Sequence, residues 1–181
     1  MATVLEKIDS WFLTNAETRM GPTGATSNPV KSFALGELFD GGPTDPLLNE
    51  IELPYCLISM ETYTATLNFE YSCRGNLFPF EYQHACSVTV IDVDRDWQTA
   101  RTQAQTHLRR IADLIHYGMQ QNQLLGLTDD TDTEKVDDSP DAITITNGIN
   151  FNAGWRGGAS WRDSQYLRAA QVQFQITSRD I

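Results

Sequence analysis

Apolar residues recur at helical spacing in two segments of the chain. The first segment spans Thr3 to Leu13, where apolar positions three or four residues apart lie opposite a polar and charged side. The second starts after Asp94 or Asp96, either of which can cap a helix, and continues to about Gln121. The pattern therefore predicts two amphipathic helices, each with one apolar stripe to bury.

Alternation of apolar and polar residues predicts strands elsewhere. LPYCLISM (53–60) is a short apolar run, and TYTATLNFEYSC (62–73) and FEYQHACSVTVI (80–91) alternate on either side of a turn, which predicts a long antiparallel hairpin. The first of these two runs places Tyr63, Ala65 and Leu67 on its apolar face. Two or three more strands follow the second helix, at AITIT, INFNAGW and QYLRAAQVQFQITS (165–178).

The last strand has one apolar side and one uncharged polar side. Apolar residues at 172, 174 and 176 alternate with Gln171, Gln173 and Gln175. Glutamine is an uncommon choice on a strand, because strands favour β-branched and aromatic residues. Its hydrogen-bonding side chains are expected to face water, a partner subunit or a passing polymer.

The expected fold class is α+β, a two-layer sandwich. A largely antiparallel or mixed sheet with both helices on its apolar face satisfies these patterns, because each helix has one stripe and each strand one side to bury. The chain of 181 residues makes one domain with a substantial core. Two long insertions are expected: a Gly- and Pro-rich arm at about 14–50, where only SFALGELF suggests a short helical turn, and an acidic loop at about 126–141.

Charge and composition exclude several function classes. The formal net charge of −11 opposes tight binding of nucleic acid, whose affinity comes from basic side chains, but suits a conduit through which DNA slides. No run approaches the roughly 18–20 apolar residues that cross a bilayer, and the N-terminus lacks the basic start of a secretory signal. The three cysteines form no CxxC pair and are expected to be free thiols that are buried or half-buried.

Catalytic and metal-binding patterns are missing from the sequence. His84 is expected to be a hydrogen-bonded residue of the core or an edge, and His107 and His116 to point to different sides of their helix. The aspartates of DVDRDW are expected to cap that helix, and the acidic loop lacks the sixth-position glycine and twelfth-position glutamate of a calcium loop. A structural or binding protein without cofactor or metal is therefore expected rather than an enzyme.

Two tryptophans and two arginines lie close together around the GWRGGASW turn. Aromatic residues and arginine are enriched in protein interfaces, so this cluster is a candidate contact patch. A core tryptophan with two solvated arginines explains the same residues equally well.

The order of these elements resembles the tail terminator proteins of long-tailed bacteriophages. The resemblance rests on the N-terminal amphipathic helix, the LPYCLISM strand led by a proline, the long hairpin, the second helix, the acidic loop and the closing C-terminal strand. It covers most of residues 3–13 and 51–178. It implies a virion protein, assembled in the host cytoplasm as a hexameric ring that stops tail-tube growth and forms the surface to which the head attaches. The implied partners are further copies of the chain, the tail tube protein, the head-side connector protein and DNA that passes through the bore without specific binding.

The resemblance also implies subunit-interface residues on the arm, on the GWRGGASW turn and on the last strand. They are Phe33, Leu35, Leu38, Phe39, Trp155, Arg156, Trp161, Arg162, Gln171, Gln173, Gln175 and Arg179. Both insertions are longer than the shortest family members need, which leaves another neck or minor tail-completion ring component as an alternative. In a different class, a monomeric calcium- or small-ligand-binding module that uses the acidic loop is the second alternative.

Overall fold

The described part of the chain forms two helices and six strands. A computed structural model describes residues 4–24, 27–35, 52–67, 80–120, 134–136, 143–156 and 165–180. The helices are α1 (Val4–Met20) and α2 (Trp97–Gln120). The strands are β1 (Ser32–Leu35), β2 (Tyr55–Leu67), β3 (Phe80–Asp94), β4 (Glu134–Val136), β5 (Ile143–Arg156) and β6 (Gln165–Asp180).

A single mixed sheet contains these strands. Its order is β1-β2-β3-β6, and β4 and β5 both pair with the remaining edge of β6. β1 runs parallel to β2, whereas the other pairings are antiparallel. β3 and β6 pair continuously from Glu81↔Arg179 to Asp94↔Tyr166, so these two long strands form the centre of the sheet.

Both helices pack on the same face of the sheet. The rings of Phe12 in α1 and Phe174 in β6 lie 5.1 Å apart between centroids, and Ile111 and Ile115 of α2 belong to the same buried cluster. The central strands contribute their even-numbered side chains to this cluster: Cys86, Val88, Val90, Val172, Phe174 and Ile176. The predicted α+β fold is therefore confirmed, with two helices on one face of a mixed sheet.

A smaller apolar cluster lies on the opposite face, at one end of the sheet. Ile91, Leu167 and Ala169 are buried there together with Leu53, and the half-buried Phe151 packs against them. Alternation along a strand places the odd-numbered residues of β3 and β6 on this side. The face of the sheet turned away from α1 and α2 is thus apolar at this end and polar along the rest of β3 and β6.

α1 ends at Met20, whereas the sequence pattern predicted an end at Leu13. Ala16 and Met20 continue the buried stripe of Phe12 at four-residue spacing, and all three lie in the core. The small size of Ala16 and the polar residues around it concealed this continuation. The first part of the predicted arm is therefore helical.

The prediction of an arm at about 14–50 is also wrong for residues 30–35. Val30 is fully buried in the core, and its N–H donates to the Met20 carbonyl oxygen at 2.7 Å. Ser32–Leu35 forms a strand instead of a helical turn, because parallel pairing with β2 satisfies its backbone. Residues 36–50 lie outside the described part of the chain.

The runs predicted as separate strands at 53–60 and 62–73 join in one strand, β2, which is described as far as Leu67; residues 68–73 lie outside the described ranges. Where the two runs meet, β2 shifts its register against β3 between Met60 and Thr62, as a β-bulge does. Ala65 and Leu67 are exposed, since this end of β2 extends beyond the buried cluster. The antiparallel pairing with β3 is as predicted. AITIT and INFNAGW likewise form one strand, β5.

Asp96 caps α2, as the sequence predicted. Its Oδ2 accepts hydrogen bonds from the backbone N–H and the hydroxyl of Thr99, both at 2.8 Å, and these bonds lower the pKa of the carboxyl group. The cap is therefore complete above the ordinary pKa of an aspartate and is lost as the pH falls through the lowered value. α2 ends at Gln120, beside its predicted end.

The predicted acidic loop at about 126–141 contains a short strand, β4. It pairs with the end of β6 from Glu134↔Asp180 to Val136↔Ser178. Pairing between β5 and β6 begins only at Ile143↔Ile176, so the end of β6 offers backbone groups that β4 satisfies. The other residues of this predicted loop lie outside the described ranges.

Gly21 follows α1 at a point where a side chain has no space. Its N–H donates to the Glu17 carbonyl oxygen at 3.0 Å, and a Cβ atom would overlap that oxygen. We expect Gly21→Ala to lower the free energy of unfolding by roughly 1–3 kcal/mol, because the backbone has to shift. Urea unfolding followed by circular dichroism measures this change.

Gly148→Ala is the matched control for this substitution. A Cβ atom at Gly148 would meet the Leu108 side chain at 3.6 Å, an ordinary contact distance. We expect a change of less than about 1 kcal/mol. Equal losses in the two variants would show that the clash at Gly21 has no special cost.

Candidate functional site

The sheet face turned away from the helices carries an uncharged polar surface. The register places Ser87 beside Gln173 and Thr89 beside Gln171, and directly opposite residues share a face. We call this surface the glutamine face. Its residues are Gln83, Ala85, Ser87, Thr89, Thr144, Asn147, Ile149, Gln171, Gln173, Gln175 and Thr177, of which Ser87 and Thr89 are buried. None of these side chains is charged, although the chain carries a net charge of −11.

Hydrogen bonds order the three glutamines of β6. Gln171 Nε2 donates to Thr89 Oγ1 at 3.0 Å, and Gln173 Nε2 donates to Gln171 Oε1 at 3.2 Å. Gln175 Nε2 donates to Gln83 Oε1 at 3.0 Å. A primary amide has two donors and can accept more than one hydrogen bond, so each half-buried glutamine retains hydrogen-bonding capacity toward a partner surface.

The residues predicted as an interface on the arm have different environments. Phe33 is half-buried and packs against the core cluster, so it belongs partly to the core. Leu35, at the end of β1, is 44 % exposed. Four predicted interface residues lie outside the described ranges: Leu38, Phe39, Trp161 and Arg162.

The remaining predicted interface residues lie at opposite ends of β6. Trp155 and Arg156 end β5, where Trp155 is paired with Tyr166 near the start of β6. Arg179 lies near the other end of β6, opposite Glu81 of β3. The length of β6 therefore separates them, and they do not form one patch. The glutamines occupy the middle of the strand.

A buried polar cluster lies on the helix-covered face. Asp92 of β3 and His107 of α2 are 3 % and 0 % exposed, and His107 Nε2 lies 3.2 Å from Asp92 Oδ2. The same oxygen accepts a hydrogen bond from Asn28 Nδ2 at 2.6 Å, and Oδ1 accepts one from Val93 N at 2.7 Å. Arg110 Nη1 donates to the Asn28 carbonyl oxygen at 2.7 Å. The buried carboxylate thus has donors on both oxygens, as burial of a charge requires.

Burial also acts on the ionisable groups of the protein. It lowers the pKa of Arg110, while the negative charge of Asp92 opposes that shift. Burial raises the pKa of the Cys56 thiol to about 12, so this thiol stays neutral and inert. Cys56 and Cys86 are buried and free, as predicted; Cys73 lies outside the described ranges.

The pairing of Asp92 with His107 was not predicted from the sequence. Asp92 was expected to cap α2 but faces the core, because it follows Val88 and Val90 at two-residue spacing. His107 lies on the buried stripe of α2, three residues after Ala104. In each element, a polar residue stands at a position that the apolar pattern predicts to be buried, and this was the signal in the sequence for the pairing.

The expectations for the histidines themselves are confirmed. His84 is buried, and its Nε2 lies within hydrogen-bonding distance of Ser178 Oγ at 2.9 Å. His107 is buried whereas His116 is exposed, so the two point to different sides of α2.

A cavity of about 210 Å³ lies beside the buried polar cluster. Ser27, from the segment between α1 and β1, forms one wall together with Asn28. The opposite wall belongs to α2 and consists of Thr102, Gln103, Thr106, His107 and Arg110. The cavity and the glutamine face lie on opposite sides of the sheet.

Within the described ranges, no group of three or more His, Cys, Asp or Glu side chains is arranged to hold a metal ion. Of the helices in that part of the chain, none is long and apolar enough to cross a membrane. No protein-family model matches the chain, and no curated protein matches its sequence.

Proposed function

We propose that the protein is a tail terminator, or a closely related neck ring component, of a long-tailed bacteriophage, and that it acts by assembly into a closed ring. The observation that carries the proposal is the glutamine face, which is ordered, uncharged and hydrogen-bonding on a chain with a net charge of −11. The order of helices and strands, which resembles that of tail terminators, supports the phage context.

Electrostatics favour contact between copies of the chain on this face. Like charges placed against each other across an interface cost several kcal/mol, and copies with a net charge of −11 carry many acidic groups. Interface cores are depleted of charge and contain about one hydrogen bond per 100–200 Å². The glutamine face has the composition that both conditions favour.

Ring closure gives this surface a role in the virion. Head-to-tail contacts that close produce a ring, and an acidic chain does not hold passing DNA tightly. The tail tube protein binds one side of the ring and the head-side connector protein binds the other. In this role the ring stops growth of the tube and joins the tail to the head.

Within the same class, the alternative is another neck or minor tail-completion ring component. The two differ in their partner, because only a terminator has to bind the end of the tail tube. Co-sedimentation with purified tubes distinguishes them: a terminator is expected to sediment with tubes and to stop their elongation.

Gln173→Glu is expected to weaken the ring while leaving the fold intact. Gln173 is half-buried in the middle of the glutamine face, so a carboxylate there has to be desolvated next to another acidic chain. The dissociation constant is expected to rise at least tenfold, which corresponds to about 1.4 kcal/mol. Native mass spectrometry, electron microscopy and circular dichroism of both proteins measure assembly and fold.

Gln105→Glu is the matched control, because Gln105 is exposed on α2. This variant is expected to assemble like the unmodified chain. Monomers of the unmodified chain at high concentration, even after mixing with tail tube protein, would refute the ring. Full assembly of Gln173→Glu would show that copies meet on another surface.

A further inference from the structure

The cavity beside His107 is large enough for a bound molecule. Its volume of about 210 Å³ far exceeds the ~10–15 Å³ that a single ordered water requires by a comparable measure. Ring assembly through the glutamine face leaves it unused, since the cavity lies on the helix-covered side of the sheet. Its walls are polar, which indicates a polar occupant.

Two buried atoms of these walls have no hydrogen-bond partner within the part of the chain that the structure describes. They are His107 Nδ1 and Gln103 Oε1. The two residues are four positions apart, so they lie on the same face of α2. Buried polar groups are nearly always paired, and unpaired atoms in a cavity wall therefore indicate a bound group that the described part of the chain does not supply.

The hydrogen bonds already present define what that group must offer. His107 Nε2 lies 3.2 Å from Asp92 Oδ2, and a neutral imidazole that donates from Nε2 presents a lone pair at Nδ1. Gln103 Oε1 is also an acceptor. Arg110 supplies donors in the same wall. The ligand therefore needs donors for two acceptors and an acceptor for the guanidinium.

The charges around the cavity favour an uncharged ligand. Asp92 and Arg110 are linked through Asn28, whose side chain donates to Asp92 and whose carbonyl accepts from Arg110. The two opposite charges compensate each other. An added cation or anion would leave one charge without compensation in a partly enclosed space, which is unfavourable.

We propose that this cavity binds a small uncharged polyhydroxyl compound, a monosaccharide or sugar alcohol. A hydroxyl group both donates and accepts, so one compound can donate to His107 Nδ1 and Gln103 Oε1 and accept from Arg110. Thr102 and Thr106 donate their hydroxyls to carbonyl oxygens one turn back, at 3.0 Å each. Their methyl groups are then the remaining surface for the C–H groups of the ligand.

Calorimetry and nuclear magnetic resonance test the proposal with D-glucose and D-mannitol as probes. Saturable binding is expected, with a dissociation constant on the order of 1 mM. In ¹H–¹⁵N spectra of the imidazole groups, the Nδ1 resonance of His107 is expected to shift most, because Nε2 stays bonded to Asp92. Sodium acetate and sodium phosphate serve as charged probes. Soluble dextran distinguishes a sugar unit within a polymer from a free sugar.

Thr106→Phe and Gln105→Phe form a matched pair of variants. Thr106 lines the cavity and is exposed, so phenylalanine fills the space without disturbing the core. Binding of the probes is expected to weaken at least about tenfold. Gln105 is exposed on the same helix but does not line the cavity, and its phenylalanine variant is expected to bind like the unmodified chain.

Three results would overturn the proposal. Tighter binding of acetate or phosphate than of the polyols would show that the site takes anions. Absence of saturable binding by all probes, with an unchanged His107 spectrum, would show that water alone fills the cavity. Equal weakening by both phenylalanine variants would place the ligand elsewhere. None of these measurements depends on ring assembly, so the two proposals fail separately.

Discussion

Truncation of Phe174 to alanine is expected to lower the free energy of unfolding by about 3–5 kcal/mol. Phe174 is 1 % exposed at the centre of β6, and its ring lies 5.1 Å from that of Phe12 between centroids. Its removal leaves a cavity between α1 and the sheet that neither element can close. Because a domain has a stability of only about 5–15 kcal/mol, this loss is a large fraction of the total.

Phe80→Ala is the control with the same chemical change. Phe80 is 44 % exposed at the start of β3, so its truncation is expected to cost less than about 1 kcal/mol. Urea unfolding measures the free energy of unfolding of both variants. The slope of this free energy with urea concentration is compared between them. A loss below about 1.5 kcal/mol for Phe174→Ala would mean that α1 does not pack on β6 as described.

The two faces of the sheet were predictable because successive side chains of a strand point to opposite faces. In β6, residues 172, 174 and 176 are buried and the glutamines between them are half-buried on the other face. A shift of one residue would place every apolar side chain on the wrong side, so the sequence has to specify this register strongly. The even-numbered residues of β3 alternate in the same way, and this alternation predicted the helix-covered face correctly.

Elements whose position depends on distant pairing were not predictable from local pattern. β1 has four residues, and its strand conformation depends on the parallel partner β2, which lies more than twenty residues away along the chain. The continuation of α1 depended on Ala16, a small residue with a weak periodic signal. Local sequence favoured turns around both segments, and tertiary contacts decided otherwise.

The two candidate sites also differ in how far the sequence alone predicted them. The sequence indicated the glutamine face, because alternation along the last strand places its three glutamines on one side. The pairing of Asp92 with His107 joins two elements, and the rule that acidic residues cap helices gave a competing explanation for Asp92. Only Asp96 fills that role. A polar residue placed on an otherwise apolar stripe was the physical signal for the buried cluster.

The two sites use opposite faces of the central strands. Gln171 and Gln173 lie on the face turned away from α1 and α2, whereas Asp92 points toward α2. A ring contact on one face and a ligand on the other therefore do not compete for the same side chains. β3 carries Asp92 on one face and Ser87 and Thr89 on the other.

Asp92→Ala is expected to lower the free energy of unfolding by about 3–5 kcal/mol, because each buried donor that is left without its acceptor costs about 1–3 kcal/mol. The substitution removes the acceptor for Asn28 Nδ2, for Val93 N and for His107 Nε2. It also leaves the positive charge of Arg110 without its neighbouring carboxylate. Each buried donor that loses its partner adds to the cost, so the loss exceeds that of an ordinary polar residue.

Asp113→Ala controls for the loss of one negative charge, because Asp113 is exposed on α2. Its effect is expected to stay within about 0.5 kcal/mol. Combining Asp92→Ala with His107→Ala isolates their interaction. The double variant is expected to lose less than the sum of the two single losses, because each single change already removes the same interaction. Additive losses in this cycle would mean that the two side chains do not interact. The buried polar cluster would then consist of Asp92, Asn28 and Arg110 without His107.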